Sequence, residues 1–87
     1  MYRIALKAGA AKSLGALPPK LRARIVAKVK AVAADPTGRH PQAKALRGKL
    51  AGLSRLRIGD WRVIYELDHQ REVVLILAVK PREKGYD

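Results

Sequence analysis

A β-hairpin pattern at residues 52–65, GLSRLRIGDWRVIY, leaves few folds open to this chain. Arginine alternates with an apolar residue across residues 55–58, and successive side chains of a strand point to opposite faces. Gly59-Asp60 supplies a turn, and residues 61–65 are mostly the aromatic and β-branched types that suit a pleated strand. The pattern therefore predicts a hairpin with one face packed on a core and the other carrying guanidinium groups into solvent.

The residues before the hairpin predict one strand and two helices. Residues 2–7 alternate as a short strand does, and residues 8–16 have the small side chains of a brief helix. A longer helix begins at Pro18-Pro19, because proline is tolerated in a first turn, and ends at Asp35-Pro36, because the residue before proline disfavours helical geometry. The apolar stripe of this helix consists of Leu21, Ile25, Val29 and Val32.

The remaining segments are a linker, a turn and a last strand. Residues 37–49 predict a polar linker, and residues 68–71 predict a second turn. Residues 73–79 are an apolar run that predicts a central strand buried on both faces. The order β-α-α-β-β-β predicts a single α+β domain over residues 1–87, with two helices packed on one face of a mostly antiparallel four-stranded sheet.

The charge of the chain indicates a polyanionic partner. There are 19 lysines and arginines against 7 aspartates and glutamates, for a formal net charge of +12. Residues 1–34 contain eight basic side chains and no acidic one, so the helices cannot neutralise themselves through local ion pairs. A balance this basic indicates nucleic acid, an acidic protein, or both in turn.

The composition also excludes several kinds of site. The chain has no cysteine, and His40 and His69 alone are too few to hold zinc. No apolar run approaches the roughly 20 residues of a membrane span, and the start at residues 1–6 is too short for a secretion signal. We therefore expect a cytoplasmic protein that uses no metal ion, no other cofactor and no membrane.

The side chains available for chemistry are mainly cations. There is no Ser-His-Asp or Cys-His set, no glycine-rich phosphate loop before a helix, and no carboxylate cluster for Mg²⁺. RNA can be cleaved by its own 2′-hydroxyl group, which attacks the adjacent phosphate while a protein supplies geometry, charge and proton transfer. The planar forks of arginine suit the oxygens of the phosphorane-like transition state.

Some of these residues also have purely structural interpretations. The hairpin arginines are compatible with a solvated strand face, and Arg62 can pair with Asp60 or Glu66. Trp61 and Tyr65 share one strand face, for which we expect core packing rather than base stacking.

A longer motif includes the hairpin and continues to the C-terminus. It consists of Leu46, Gly48, Leu50, Gly52, Leu53, Arg55, Leu56, Arg57, Gly59, Asp60, Trp61, Arg62, Val63, Ile64, Tyr65, Arg82 and Tyr86. With these residues, and with one strand and two helices before them, the chain resembles the RelE/ParE superfamily of bacterial toxin–antitoxin toxins along essentially its whole length. The resemblance implies a small RelE-like fold and neutralisation by a cognate antitoxin protein.

The resemblance to the RelE-like branch also implies an activity. In that branch, basic strand residues, an arginine after the aromatic residue, a later arginine and a tyrosine near the C-terminus cut mRNA in the ribosomal A site. This implies a ribosome-dependent, metal-independent mRNA endoribonuclease that contacts ribosomal RNA, inhibits translation and arrests growth. The implied catalytic residues are Arg55, Arg57, Arg62, Arg82 and Tyr86, and we expect substrate binding by Lys80, Lys49 and Arg47.

The chain departs from the RelE pattern at two places. Lys80-Pro81 stands where Gly-His or Gly-Lys usually precedes the later arginine. The basic pair, Arg55 and Arg57, consists of arginines, which are poor general bases because the pKa of arginine lies above about 12. Lys80 is the residue that can take over this role.

Two other functions stay open. A ParE-like toxin inhibits DNA gyrase by contact and performs no chemistry, and an inactive relic would only bind RNA. A gyrase inhibitor needs no cluster of catalytic cations, and its first helices commonly form a longer hairpin. The short first helix and the complete cationic set of this chain favour the nuclease, whose antitoxin we expect to cover the basic surface with an acidic or amphipathic segment.

Overall fold

In the computed structural model, which describes residues 1–82, two helices pack on one face of a five-stranded sheet. The elements in chain order are β1 (Arg3–Leu6), α1 (Ala8–Gly15), α2 (Pro19–Ala34), β2 (Ala43–Ala45), β3 (Leu53–Ile58), β4 (Trp61–Asp68) and β5 (Val73–Pro81). The strand order is β1-β5-β4-β3-β2, with β1 parallel to β5 and every other pair antiparallel. The predicted α+β class and mostly antiparallel sheet are confirmed.

The prediction of four strands was wrong by one. Residues 37–49, predicted to be a linker, contain β2, which pairs antiparallel with β3 through Ala43↔Leu56 and Ala45↔Ser54. A three-residue strand with two alanines has little intrinsic β-propensity. Pairing with β3 therefore determines its conformation, and the local sequence gives no signal for it.

The predicted boundaries of the long helix are confirmed. Helix α2 begins at Pro19, and Asp35 at its C-terminal end has left the helical region, with φ −145° and ψ 70°. Helix α1 is short, with eight residues from Ala8 to Gly15.

The core lies between the helices and one face of the sheet, called here the helix face. Leu56, Val63 and Val79 lie opposite one another on β3, β4 and β5 and are nearly inaccessible to solvent. The complete set of buried apolar residues is Ala10, Leu17, Ile25, Val29, Val32, Ala33, Leu56, Ile58, Val63, Tyr65, Val74, Ile76 and Val79. Side chains alternate across a strand, so the neighbours of the sheet residues in this set point to the opposite side, called here the open face.

Strand β5 differs from its prediction in burial. It is internal, between β1 and β4, but Val74 and Ile76 are buried whereas Leu75 and Leu77 are only partly buried. The reason is that no helix covers the open face within residues 1–82. In the same part of the chain, no helix is long and apolar enough to cross a membrane.

Replacement by alanine should change the free energy of unfolding in opposite directions at two glycines. Gly59 in the β3–β4 turn has φ +57°, in the left-handed region where a Cβ is strained, whereas Gly9 lies in α1 with open space around its Cα. We expect Gly59→Ala to lower the free energy of unfolding by about 1–2 kcal/mol and Gly9→Ala to raise it by about 0.5–1 kcal/mol. Urea unfolding of both variants checks this, and shifts of the same sign would contradict the assigned turn.

The buried phenol of Tyr65 should make stability depend on alkaline pH. Burial raises the pKa of Tyr65 above 10.0, and a side-chain hydrogen bond with Ser54 opposes this rise. The folded state thus holds the phenol proton more tightly than the unfolded state. The contribution of this protonation to the free energy of unfolding is complete below pH 10, and it is lost as the pH rises from there through the pKa of the folded state. We expect the urea midpoint to fall more steeply between pH 9 and 11 in the wild type than in Tyr65→Phe, and parallel curves would contradict this.

Candidate active site

Three cationic residues lie side by side across the open face of the sheet. Arg57 on β3 is opposite Arg62 on β4, and Arg62 is opposite Lys80 on β5. Neighbouring strands are about 4.8 Å apart, so one row of side chains covers roughly 10 Å. We call these three residues the cationic row.

A β-bulge brings Lys80 into the row. The β4–β5 register shifts by one residue between Ile64 and Tyr65, where Tyr65↔Ile76 gives way to Ile64↔Ala78. Without the shift, Val79 would lie opposite Arg62, and the third position of the row would be apolar. Bulges are common beside active sites because they redirect a side chain to the other face of a sheet.

Arg62 differs from the prediction that the hairpin arginines extend into solvent. Its residue is only 2% exposed, and its Nη1 donates hydrogen bonds to the carbonyl oxygens of Trp61 at 3.0 Å and Gly59 at 3.4 Å. These two hydrogen bonds hold the guanidinium group against the backbone at the β3–β4 turn, and β3 and β5 flank the residue on either side. A guanidinium keeps its charge when it is buried, so Arg62 is a fixed positive charge on the middle strand of the open face, beside the β3–β4 turn.

Arg55 lies on the same face as the row, two residues before Arg57 and therefore about 6–7 Å from it along β3. It is partly buried, whereas Arg57 is exposed. Lys44 on β2 lies directly opposite Arg55 and adds a cation that was not predicted from the sequence. Lys44 was missed because the strand that carries it was assigned to a linker.

The tail reaches the same region through its backbone. The backbone N–H of Arg82 donates a hydrogen bond to the carbonyl oxygen of Asp60 at 2.7 Å. The chain after β5 is thereby held beside the β3–β4 turn, next to the cationic row. Tyr86 lies outside the described residues, so its role remains a prediction.

Two of the predicted substrate-binding residues lie elsewhere. Arg47 and Lys49 are exposed, beside and within a short 3₁₀ helix at Gly48–Leu50 that precedes β3. The row crosses β3 near its other end, and the four residue steps from Leu53 to Arg57 span roughly 13 Å. The structure therefore brings Lys80 to Arg57 and Arg62, but not Arg47 or Lys49.

The aromatic residues of β4 pack as predicted. Tyr65 is buried in the core, and Trp61 is partly buried against it. Both belong to the helix face, on the other side of the sheet from the row. Neither is positioned to stack on a base bound at the open face.

The arrangement suits the binding of a phosphodiester. Two guanidinium groups and one ammonium group at strand spacing can face several oxygens of one phosphate, and charge-assisted hydrogen bonds of this kind are strong. Because Arg62 is already fixed by backbone carbonyls, little reorganisation is needed when charge develops on the substrate.

Comparison with known proteins is consistent with this architecture. Residues 4–86 match the family model described as the ParE toxin of the type II toxin–antitoxin system parDE. A curated relative, Toxin RelE of Mycobacterium tuberculosis, is 35% identical over 85 residues, which are 98% of this chain and 86% of the relative.

Two solved structures are similar over nearly their whole length. The toxin–antitoxin complex RelBE2 of Mycobacterium tuberculosis contains a chain that is 30% identical with a TM-score of 0.79, and the match covers 93% of this chain and 98% of that one. The archaeal RelE–RelB complex of Pyrococcus horikoshii contains a chain that is 31% identical with a TM-score of 0.80. That match covers 97% of this chain and 98% of the archaeal one. The chain described here belongs to the ParE toxin family of type II toxin–antitoxin systems, within the RelE/ParE superfamily.

Proposed function

We propose that this toxin is a ribosome-dependent endoribonuclease, which cleaves mRNA by promoting attack of a 2′-hydroxyl group on the adjacent phosphate. The observation that supports this most is the cationic row, in which Arg57, Arg62 and Lys80 lie side by side on three neighbouring strands. An inhibitor that acts only by contact has no need of a buried, pre-oriented arginine on the open face of the sheet.

The bonds that form and break in the proposed reaction all lie within the RNA. The 2′-oxygen forms a bond to phosphorus, the bond from phosphorus to the 5′-oxygen of the next nucleotide breaks, and a 2′,3′-cyclic phosphate remains. The 2′-hydroxyl group loses its proton to a base, and the departing 5′-oxygen gains one from an acid. Negative charge accumulates on the phosphate oxygens between these steps, where preorganised cations stabilise it.

The residues of the row have different parts in this proposal. Arg62, held by two carbonyl oxygens, is the fixed electrostatic stabiliser, and exposed Arg57 approaches the phosphate from the neighbouring strand. Lys80 is the member of the row whose side chain can exchange a proton, because a guanidinium does not lose its own. Arg55, Arg82 and Tyr86 complete the proposed catalytic set, and the ribosome positions the mRNA.

A cognate antitoxin is the proposed protein partner. Of the two solved structures described above, one is a toxin–antitoxin complex, RelBE2, and the other is a RelE–RelB complex. With a net charge of +12 and no acidic residue before Asp35, this toxin offers a surface that an acidic or amphipathic segment would neutralise.

Brief induction in bacteria, followed by mapping of new 5′ ends on total mRNA, tests the proposed function. We expect cuts inside translated codons, and their absence from untranslated RNA, because the ribosome presents the substrate. Growth arrest with intact mRNA and with DNA breaks would replace the proposal with inhibition of DNA gyrase.

A further inference from the structure

A second basic region lies where the helix layer meets the β3–β4 turn. A cleft of about 410 Å³ opens there, and we call it the corner cleft. It is lined by residues of α2, of the segment before β2, of the end of β3 and of the turn, namely Arg24, Lys28, Gln42, Arg57, Ile58, Gly59 and Asp60.

The corner cleft has an excess of positive charge. Three cationic residues line it, Arg24 and Lys28 from α2 and Arg57 from the end of β3, with Asp60 as the one acidic residue of the lining. Within residues 1–82, Arg24, Lys28 and Arg57 form no ion pair. Arg24 and Lys28 are one helical turn apart, and like charges at that spacing repel each other. A bound anion between them would relieve this repulsion.

The corner cleft is continuous with the cationic row. Arg57 belongs to both, and the Gly59 carbonyl accepts a hydrogen bond from Arg62 at 3.4 Å. A Cβ placed on Gly59 would lie 3.8 Å from both terminal guanidinium nitrogens of Arg24. The guanidinium groups of Arg24 and Arg62 therefore lie close to the same turn.

The chemistry of the lining favours a sugar-phosphate backbone over a protein segment. Protein interfaces depend on apolar or aromatic anchors that fill desolvated pockets. The apolar side chain in this cleft is that of Ile58, which is only 2% exposed, and the other lining side chains are polar or charged. Arginine and lysine suit phosphate oxygens.

We propose that the corner cleft binds the phosphate backbone of the substrate RNA next to the cleaved bond. One RNA strand then crosses from the cationic row, over the β3–β4 turn, to Arg24 and Lys28 on α2. This inference rests on the proposed ribonuclease function and names the path of its substrate.

The double variant Arg24→Gln/Lys28→Gln tests the path. The probe is a 12-nucleotide single-stranded RNA with 2′-O-methyl riboses, which cannot be cut, and its binding to the purified toxin is followed by fluorescence anisotropy. We expect the dissociation constant to rise about tenfold at low salt, and the slope of log affinity against log salt to shrink by about 1.4, because each phosphate contact contributes about 0.7. The matched control, Lys12→Gln/Lys30→Gln, removes the same charge from exposed helix positions outside the cleft and should shift the dissociation constant less than twofold.

Cleavage on ribosomes separates this inference from the proposed function. For Arg24→Gln/Lys28→Gln we expect a higher half-saturating toxin concentration, with a maximal rate within twofold of wild type. If the two double variants raised the dissociation constant for RNA equally, the proposed RNA path would be overturned, because RNA binding would then depend on net charge alone. If Arg24→Gln/Lys28→Gln weakened the binding of the toxin only to mRNA-free ribosomes, the cleft would be assigned to ribosomal RNA. If the same variant weakened binding only to the antitoxin, the cleft would be assigned to an acidic protein segment. Either result overturns the proposal. A wild-type toxin that cleaves no mRNA would instead refute the proposed function itself.

Discussion

Replacing Arg62 with alanine should lower the maximal rate of mRNA cleavage on the ribosome by about 100- to 1,000-fold, the range observed when one preorganised donor is removed from a transition-state site. Arg62 is 2% exposed and held by two backbone carbonyl oxygens, so its charge is in place before the substrate arrives. The loss should appear in the maximal rate more than in the half-saturating concentration, because the largest charge develops in the transition state. Single-turnover cleavage of a defined mRNA on purified ribosomes measures both quantities.

Two further variants distinguish catalysis from folding in this test. Arg62→Lys retains the charge without the planar fork and should recover part of the lost rate. Arg71→Ala is the matched control, because the Arg71 side chain is 81% exposed in the β4–β5 turn and pairs only weakly with Asp68, at 3.9 Å. Thermal unfolding and antitoxin binding show whether Arg62→Ala is folded. A folded Arg62→Ala protein with a cleavage rate within threefold of wild type would show that the row is not the active site.

The second large effect concerns stability and involves Ile25. This α2 residue is 1% exposed and already lines an apolar pocket of about 230 Å³ between the helices and the sheet. Ile25→Ala should enlarge that pocket and lower the free energy of unfolding by about 2–5 kcal/mol, a large part of the roughly 5–15 kcal/mol typical of a domain. For a chain of this size the melting temperature should fall by roughly 10–30 °C.

Leu50 provides the comparison for Ile25. It is 51% exposed, so Leu50→Ala should change the free energy of unfolding by no more than about 0.5 kcal/mol. Urea unfolding of both variants measures the difference. If Ile25→Ala were as stable as Leu50→Ala, the packing of α2 on the helix face would be wrong.

The hairpin and the long helix could be predicted from the sequence because local chemistry determines them. The alternation at residues 55–58 fixes which side chains share a face, and Gly59 adopts the positive φ that the tight turn requires. Pro19 and Asp35-Pro36 set the ends of α2 through constraints on their own backbone. Such signals depend on neighbouring residues alone.

Other features depend on contacts between distant parts of the chain. Strand β2 exists because β3 pairs with it, and Lys44 faces Arg55 for that reason. The burial of Arg62 depends on strands to either side of β4 and on hydrogen bonds to the carbonyl oxygens of Gly59 and Trp61, which residue types do not reveal. Lys80 joins the row through a register shift near Ile64, for which the sequence has no recognisable marker.

Substrate binding by Arg47 and Lys49 stays a prediction, because the structure gives only their position. Both are basic and close in sequence to β3, but they lie at the end of β3 away from the cationic row. Charge and sequence proximity indicate them as candidates, but their distance from the cationic row depends on where the 3₁₀ helix joins β3. The substrate path through the corner cleft instead uses α2, which is distant in sequence from the hairpin.

The proposed chemistry is tested most directly by removing the attacking group from the RNA. Ribosomes are loaded with an mRNA that carries a single 2′-deoxynucleotide immediately 5′ of the cleaved bond, purified toxin is added, and the product ends are identified by mass spectrometry. We predict that the all-ribose mRNA yields a 2′,3′-cyclic phosphate and a 5′-hydroxyl group, and that the deoxy-substituted bond stays intact. Cleavage of the deoxy-substituted bond at an unchanged rate, or products with a 5′-phosphate, would contradict attack by the 2′-hydroxyl group and the proposed role of the cationic row.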